Sequence, residues 1–132
     1  MAATLDVADT DDNAATFGKL SGLRGPGGFP QVRFVSLVES GTHVLLASET
    51  DGYKTSEHVL AKRVIPNLSA GMLCLADRLF SGYRLWEQAQ STGADLLWRV
   101  GKTFELAAHK RLPDGSYLSY LYATTYDPKN GS

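Results

Sequence analysis

A chain of 132 residues with 43% apolar and 20% charged content is sized for one globular domain and is too apolar for disorder. A net charge of −1 excludes a strongly basic nucleic-acid binder, and the single cysteine, Cys74, excludes an internal disulfide. No apolar stretch approaches the roughly 20 residues of a membrane span, and the N-terminus has neither a basic region nor an apolar signal segment. The expected location is therefore the cytoplasm, without a membrane partner.

The charge is unevenly spread. Asp6, Asp9, Asp11 and Asp12 stand near the N-terminus before the first basic residue, Lys19, and the remainder has a weak basic balance. That balance is compatible with a surface that meets phosphate.

The first element is a short strand over residues 3–8. Thr10 or Asp11 can cap a turn of helix running to Phe17. Gly18, Gly22, Gly25, Pro26, Gly27, Gly28 and Pro30 then punctuate the chain, so 22–28 reads as a flexible loop inside a long connection. Residues 31–39 and 42–50 are apolar runs around Ser40-Gly41, which predicts an antiparallel pair. A helix is expected over 55–65, capped by Thr55 or Ser56 and stopped by Pro66.

Residues 72–76 read as a compact buried strand with Cys74 as a small buried hydrophobe, 82–92 as a helix stopped by Gly93, and 95–100 as another strand. Strand, helix, strand over this length is a βαβ unit, so its strands should be parallel. Residues 103–111 and 116–124 flank the turn sequence Pro113-Asp114-Gly115 and predict a tyrosine-rich β-hairpin. The order predicts an α/β fold with a mixed sheet and flanking helices.

Asp77 is the most informative position for chemistry, since a carboxylate at a strand end in an α/β sheet is fixed at the sheet's open edge. It can equally cap the next helix or pair with Arg78. Lys19 and Arg24, around the glycine segment, and Arg99 and Lys102, at the end of the last apolar strand, are candidate phosphate contacts. His43, His58 and His109 lie in different elements without zinc spacing. No Gly-x-Ser-x-Gly elbow occurs, and the glycine segment lacks the Gly-Lys-Ser/Thr of a phosphate loop. Trp86 and Trp98 are expected in the core.

The stretch Leu75-Ala76-Asp77-Arg78-Leu79-Phe80-Ser81-Gly82-Tyr83 resembles the second-aspartate motif of DDE transposases of bacterial insertion sequences, in the insertion sequence 4 family. That motif typically reads Leu-Ala-Asp-Arg-Gly-Phe-x-Gly. Asp9-Thr10 through Phe17-Gly18, Phe29-Pro30-Gln31-Val32-Arg33, Gly41-Thr42-His43, Leu96-Leu97-Trp98-Arg99-Val100 and Leu112-Pro113-Asp114-Gly115-Ser116-Tyr117 are similar to family segments in the same order. The resemblance implies an RNase H-like core over residues 1–102, incomplete, and the start of the family's β-insertion over residues 103–132.

It also implies two aspartates and a glutamate holding Mg2+ or Mn2+, with transposon-end DNA as partner. In-line displacement at phosphorus uses two metal ions about 3.5–4 Å apart, and Mg2+ takes hard oxygen ligands. Here Asp77 is the one catalytic and metal-binding residue that the resemblance carries over, with Arg78, Arg99, Lys102, Lys19 and Arg24 as DNA contacts. Met1 stands where the family has its first aspartate. The Tyr-Arg-Glu-Lys signature that carries the glutamate is not among these residues. Leu79 in place of glycine and the inserted Gly101 are smaller departures. Asp6, an odd number of residues after Met1, is expected on the opposite strand face and is a poor substitute.

Three readings compete: a truncated transposase domain inactive as this chain, a nuclease completed by acids from elsewhere, and a residual DNA-binding or oligomerisation module. The expected product is marginally stable and prone to self-association through exposed sheet edge and apolar surface.

Overall fold

The computed structural model describes residues 1–22, 25–101 and 106–123. In chain order the elements are β1 (Ala2–Asp6), α1 (Asp11–Phe17), β2 (Lys19–Gly22), β3 (Gly25–Val38), β4 (Leu45–Gly52), α2 (Glu57–Val64), β5 (Leu73–Ala76), α3 (Tyr83–Gln90), β6 (Asp95–Trp98), β7 (Lys110–Arg111) and β8 (Tyr117–Leu118). The chain is mixed α/β, as expected.

β3 organises the larger sheet. Its C-terminal half pairs antiparallel with β1, placing Ala2 opposite Val35 and Asp6 opposite Gln31. It also pairs antiparallel with β4, placing Val32 opposite Gly52 and Leu37 opposite Ala47. Its N-terminal end pairs with β2, with Lys19 opposite Pro30 and Gly22 opposite Gly25. Residues 22–28 are thus not the expected flexible loop; the described part of that segment is strand. Glycine and proline weaken a central strand but are tolerated where a strand is paired along one edge. Pro30 cannot donate, yet it is fully buried and its carbonyl accepts the Val7 N–H at 2.9 Å.

One glycine here is required by a close approach. The end of α1 lies so near β4 that a Cβ on Gly52 would fall 2.5 Å from the Phe17 carbonyl oxygen. That carbonyl accepts the Tyr53 N–H at 3.1 Å, which fastens α1 to the sheet.

The helices form where their caps predict. Thr10 Oγ1 accepts the Asn13 N–H at the start of α1, and Ser56 Oγ accepts the Val59 N–H at the start of α2. Glu57 in the first turn of α2 and Lys62 and Arg63 in its last turn complement the helix dipole. Pro66 does not end the helical path at once. It sits in a 3-10 turn, Ile65–Asn67, that extends α2 before the chain turns away. α3 gives way at Gly93, whose φ of 81° lies in the left-handed region.

β5 and β6 pair in parallel through α3, with Leu73 opposite Asp95 and Ala76 opposite Trp98. They form a two-stranded sheet of their own rather than joining the antiparallel sheet. The expected single mixed sheet is therefore not formed. β1 and β5 are only five and four residues long, and each spends its ladder on one neighbour. The start of β1 is tied to β3 twice: the Met1 amino group donates to the Ser36 carbonyl and the Ser36 N–H to the Met1 carbonyl, both at 2.8 Å.

The core lies between the antiparallel sheet, α2 and α3. Leu60, Ala61, Val64, Ile65 and Leu68 pack with Val35, Leu85, Ala89 and Ala94. Trp98 and Cys74 pack against this cluster half-buried, and Trp86 is half-buried, with its ring edge-on to Trp98 at 5.2 Å. β5 is not the buried strand expected. Leu73 and Leu75 are 60% and 59% exposed, whereas Cys74 and Ala76 face inward. The C-terminal hairpin forms around Asp114, whose Oδ1 accepts the Ser116 N–H and hydroxyl; among the described residues its strands are only β7 and β8, shorter than expected, and 103–105 and 124 of the expected strands lie outside the described residues.

Candidate functional site

Asp77 follows the last residue of β5, and Arg99 follows the last residue of β6. Because Ala76 is opposite Trp98 in a parallel ladder, the next residues come side by side. The Arg99 guanidinium Nη1 lies 3.8 Å from Asp77 Oδ1. The same oxygen accepts the Arg78 N–H at 2.7 Å, so Asp77 caps the 3-10 turn Arg78–Phe80. The Arg99 N–H donates to the Ala76 carbonyl at 2.9 Å, which extends the ladder by one residue.

These two residues line a shallow open groove of about 460 Å³ together with Leu75, Ala76, Leu97 and Trp98. Its lining joins four apolar residues to one acid and one base. Burial pushes the Cys74 thiol up from its ordinary value. The sequence placed Asp77 at a strand end and Arg99 at the next. Their contact depends on the parallel register.

The other candidates are scattered. Lys19 is on β2 in the antiparallel sheet, where its ammonium pairs with Asp9. Arg78 meets Asp77 through its backbone, and its side chain is exposed. Arg24 and Lys102 lie outside the described residues. Asp6 accepts from the Gln31 side-chain amide at 2.8 Å, and Asp51 pairs with Arg63 at 3.2 Å. Among the described residues no group of three or more His, Cys, Asp or Glu side chains converges as metal ligands. A single carboxylate with a guanidinium beside it does not fit the divalent-ion pair of phosphoryl transfer, which needs several hard oxygen donors. Among the described residues no helix is long and apolar enough to cross a membrane.

Two features went unread in the sequence. One is a second cavity of about 420 Å³ between α3, β6 and the hairpin, lined by Trp86, Trp98, Val100, Leu106, Tyr117 and Leu121 among others. The other is the gathering of His109, Tyr120 and Tyr122 on the hairpin surface. The tyrosine-rich composition of that arm was the only signal for it.

No protein-family model and no solved structure matches the chain. Two curated proteins of Escherichia coli strain K12 are similar to it. Over 115 residues it is 28% identical to "Transposase InsG for insertion sequence element IS4", covering 86% of this chain and 26% of that protein. Over 70 residues it is 31% identical to "Putative transposase InsZ", covering 53% of this chain and 23% of that protein. The chain thus spans about a quarter of the length of the curated relatives it matches. By its sequence the chain is related to insertion-sequence transposases of the IS4 type.

Proposed function

We propose that this chain is a segment of a DDE transposase that contributes one acidic corner, Asp77, to a metal-dependent DNA strand-cleavage and transfer site, and that it does not cleave DNA by itself. The observation that carries this reading is the solitude of Asp77. It stands at a strand end, more than half exposed, and among the described residues it pairs with Arg99 and joins no cluster of further carboxylates. In the intact protein other acids would join Asp77 around Mg2+ or Mn2+, and Arg99, with Arg78 and Lys19, would lie on the phosphate side of bound DNA. Arg24 and Lys102 belong to the same proposed set.

The test is a plasmid-nicking assay of the purified chain with Mg2+ or Mn2+. No nicking above a metal-free control is expected. Metal-dependent nicking that Asp77→Ala abolishes would overturn the inactive reading and point to a site completed by a second copy.

A second reading, a residual oligomerisation module, draws on the outer face of β5 and β6. Leu73, Leu75 and Leu97 are 60%, 59% and 64% exposed there. Parallel strands are ordinarily covered on both faces. Sedimentation of the chain with Leu75→Lys and Leu97→Lys tests it: self-association that these changes remove supports the module, and a monomeric parent chain rejects it.

A further inference from the structure

We propose that Arg99 stands in for a divalent ion beside Asp77: its guanidinium keeps metal away from the carboxylate and has to swing out before Asp77 is free to act as a ligand. This rests on Asp77 being the metal-facing acid of the proposed site, and it adds the residue that governs access to that acid. Both ends of the contact are set by the backbone. Ala76 and Trp98 are ladder partners, so Asp77 and Arg99 leave the two parallel strands side by side. The Arg78 N–H, 2.7 Å from Asp77 Oδ1, holds the carboxylate at the start of its 3-10 turn. Arg99 Nη1 stands 3.8 Å from that same oxygen.

The charges present disagree with a cation-binding site. A hard divalent ion takes several oxygen donors, and Mg2+ sits about 2.0–2.1 Å from each. Among the described residues no three His, Cys, Asp or Glu side chains gather as metal ligands. Instead one carboxylate adjoins two arginines, Arg78 next in sequence and Arg99 across the ladder, so positive charge is in excess. An ion on the Arg99 side of Oδ1 would overlap the guanidinium, since 3.8 Å between oxygen and nitrogen leaves no room for a metal and its shell. From any other side it meets the repulsion of a like charge close by.

The contact is also easily undone. A nitrogen at 3.8 Å lies outside hydrogen-bond reach, so charge alone holds the pair. The Arg99 and Asp77 side chains are 72% and 56% exposed, and a pair so exposed is weak. Arg63 and Asp51, by contrast, are joined by a hydrogen bond of 3.2 Å. Arg99 is anchored through its backbone, whose N–H donates to the Ala76 carbonyl at 2.9 Å, so its side chain can leave without moving the strand. One guanidinium cannot face Asp77 and a DNA phosphate at once. Its departure therefore couples the two roles proposed for the site: Asp77 is uncovered when Arg99 turns to phosphate.

The test is titration of the full, isotope-labelled chain with Mn2+, read as paramagnetic broadening of its amide NMR signals. This readout needs neither DNA nor cleavage. In the parent chain the Asp77 and Arg78 signals are expected to broaden no earlier than that of Asp95, the exposed acid at the other end of β6. Arg99→Gln should bring broadening at Asp77 to a Mn2+ concentration about threefold or more lower, whereas Arg99→Lys, which keeps the charge, should behave as the parent. Arg99→Glu should lower it about tenfold or more, and adding Asp77→Asn should cancel that gain. Broadening first at Asp77 in the parent, unchanged in Arg99→Gln, overturns the stand-in and leaves Asp77 metal-facing. No early broadening at Asp77 in the parent, Arg99→Gln or Arg99→Glu overturns the proposal together with the reading of Asp77. A gain that survives Asp77→Asn also overturns it, because the ion then binds elsewhere.

Discussion

Asp77 and Arg99 face each other across the C-terminal ends of β5 and β6, 3.8 Å apart, each one residue beyond a ladder pair. Both side chains are more than half exposed. In water such a pair contributes at most about 1 kcal/mol, because solvent screens the charges and two side chains lose freedom in meeting. The pair is therefore a poor structural device and a well-presented polar feature. Asp77→Asn, which keeps an acceptor for the Arg78 N–H, should move the urea midpoint very little and leave the far-UV spectrum unchanged. Arg99→Ala should do the same. A large loss of stability from either change would show that the pair holds the parallel strands together.

Leu60 behaves in the opposite way. It is fully buried on the face of α2 that meets the antiparallel sheet and α3. Leu60→Ala removes its transfer free energy and leaves a cavity, at a cost of about 2–5 kcal/mol. Leu97→Ala, at a side chain 64% exposed, should stay within about 0.5 kcal/mol. Urea titrations of the two variants side by side test whether the core lies where α2 places it. Equal losses would mean that the outer face of β6 is covered in solution.

Ser56 carries a smaller, sharper expectation. Its hydroxyl accepts the Val59 N–H at 3.4 Å, a long cap at the start of an eight-residue helix. Ser56→Ala should cost about 1 kcal/mol, and Ser56→Asp, which also complements the helix dipole, should restore it. Thermal melts of the three chains give the order. A Ser56→Ala chain that melts with the parent would show that the long cap is not made in solution.

These helices were legible because caps and breakers are local. Thr10, Ser56 and Gly93 act within one turn of the chain, and all three stand at or just past the ends expected. The parallel pairing of β5 and β6 was legible from the length of the crossover. The β2 and β3 pairing was not, because glycine and proline signal turns wherever they occur, and only the one-sided pairing of that part of β3 makes room for them. The separation of the two sheets depends on which edges find partners, which no spacing records. Asp77 was readable as a strand-end acid. Its partner Arg99 is 22 positions away, and the pairing follows from register. His109 and Tyr120, with ring centroids 4.6 Å apart, lie outside the two ladder pairs of the hairpin, and no spacing records their meeting.

Acid should loosen the sheet connections before the core. Hydrogen bonds from the Thr42 hydroxyl, then the Gly41 N–H and the Thr42 N–H, hold the Glu39 carboxyl below its ordinary 4.5 at the β3–β4 connection. The Gly52 N–H, then the Thr55 hydroxyl and Arg63, hold Asp51 below its ordinary 3.8 at the end of β4. Asp114 is lowered in the same sense by the Ser116 hydroxyl and N–H. Each group binds its proton more weakly folded than unfolded, so protonation favours the unfolded chain. The stabilisation is fully present above the ordinary carboxylate values and is lost as pH falls through the lowered ones. Melting temperature should therefore be flat from neutral pH down to about 5 and fall below that. Glu39→Gln should flatten the fall by removing one of the three titrations, at the cost of the charged acceptor at neutral pH. A fall of the same steepness in Glu39→Gln would show that the carboxylate is not hydrogen-bonded in the folded chain as Thr42 and Gly41 place it.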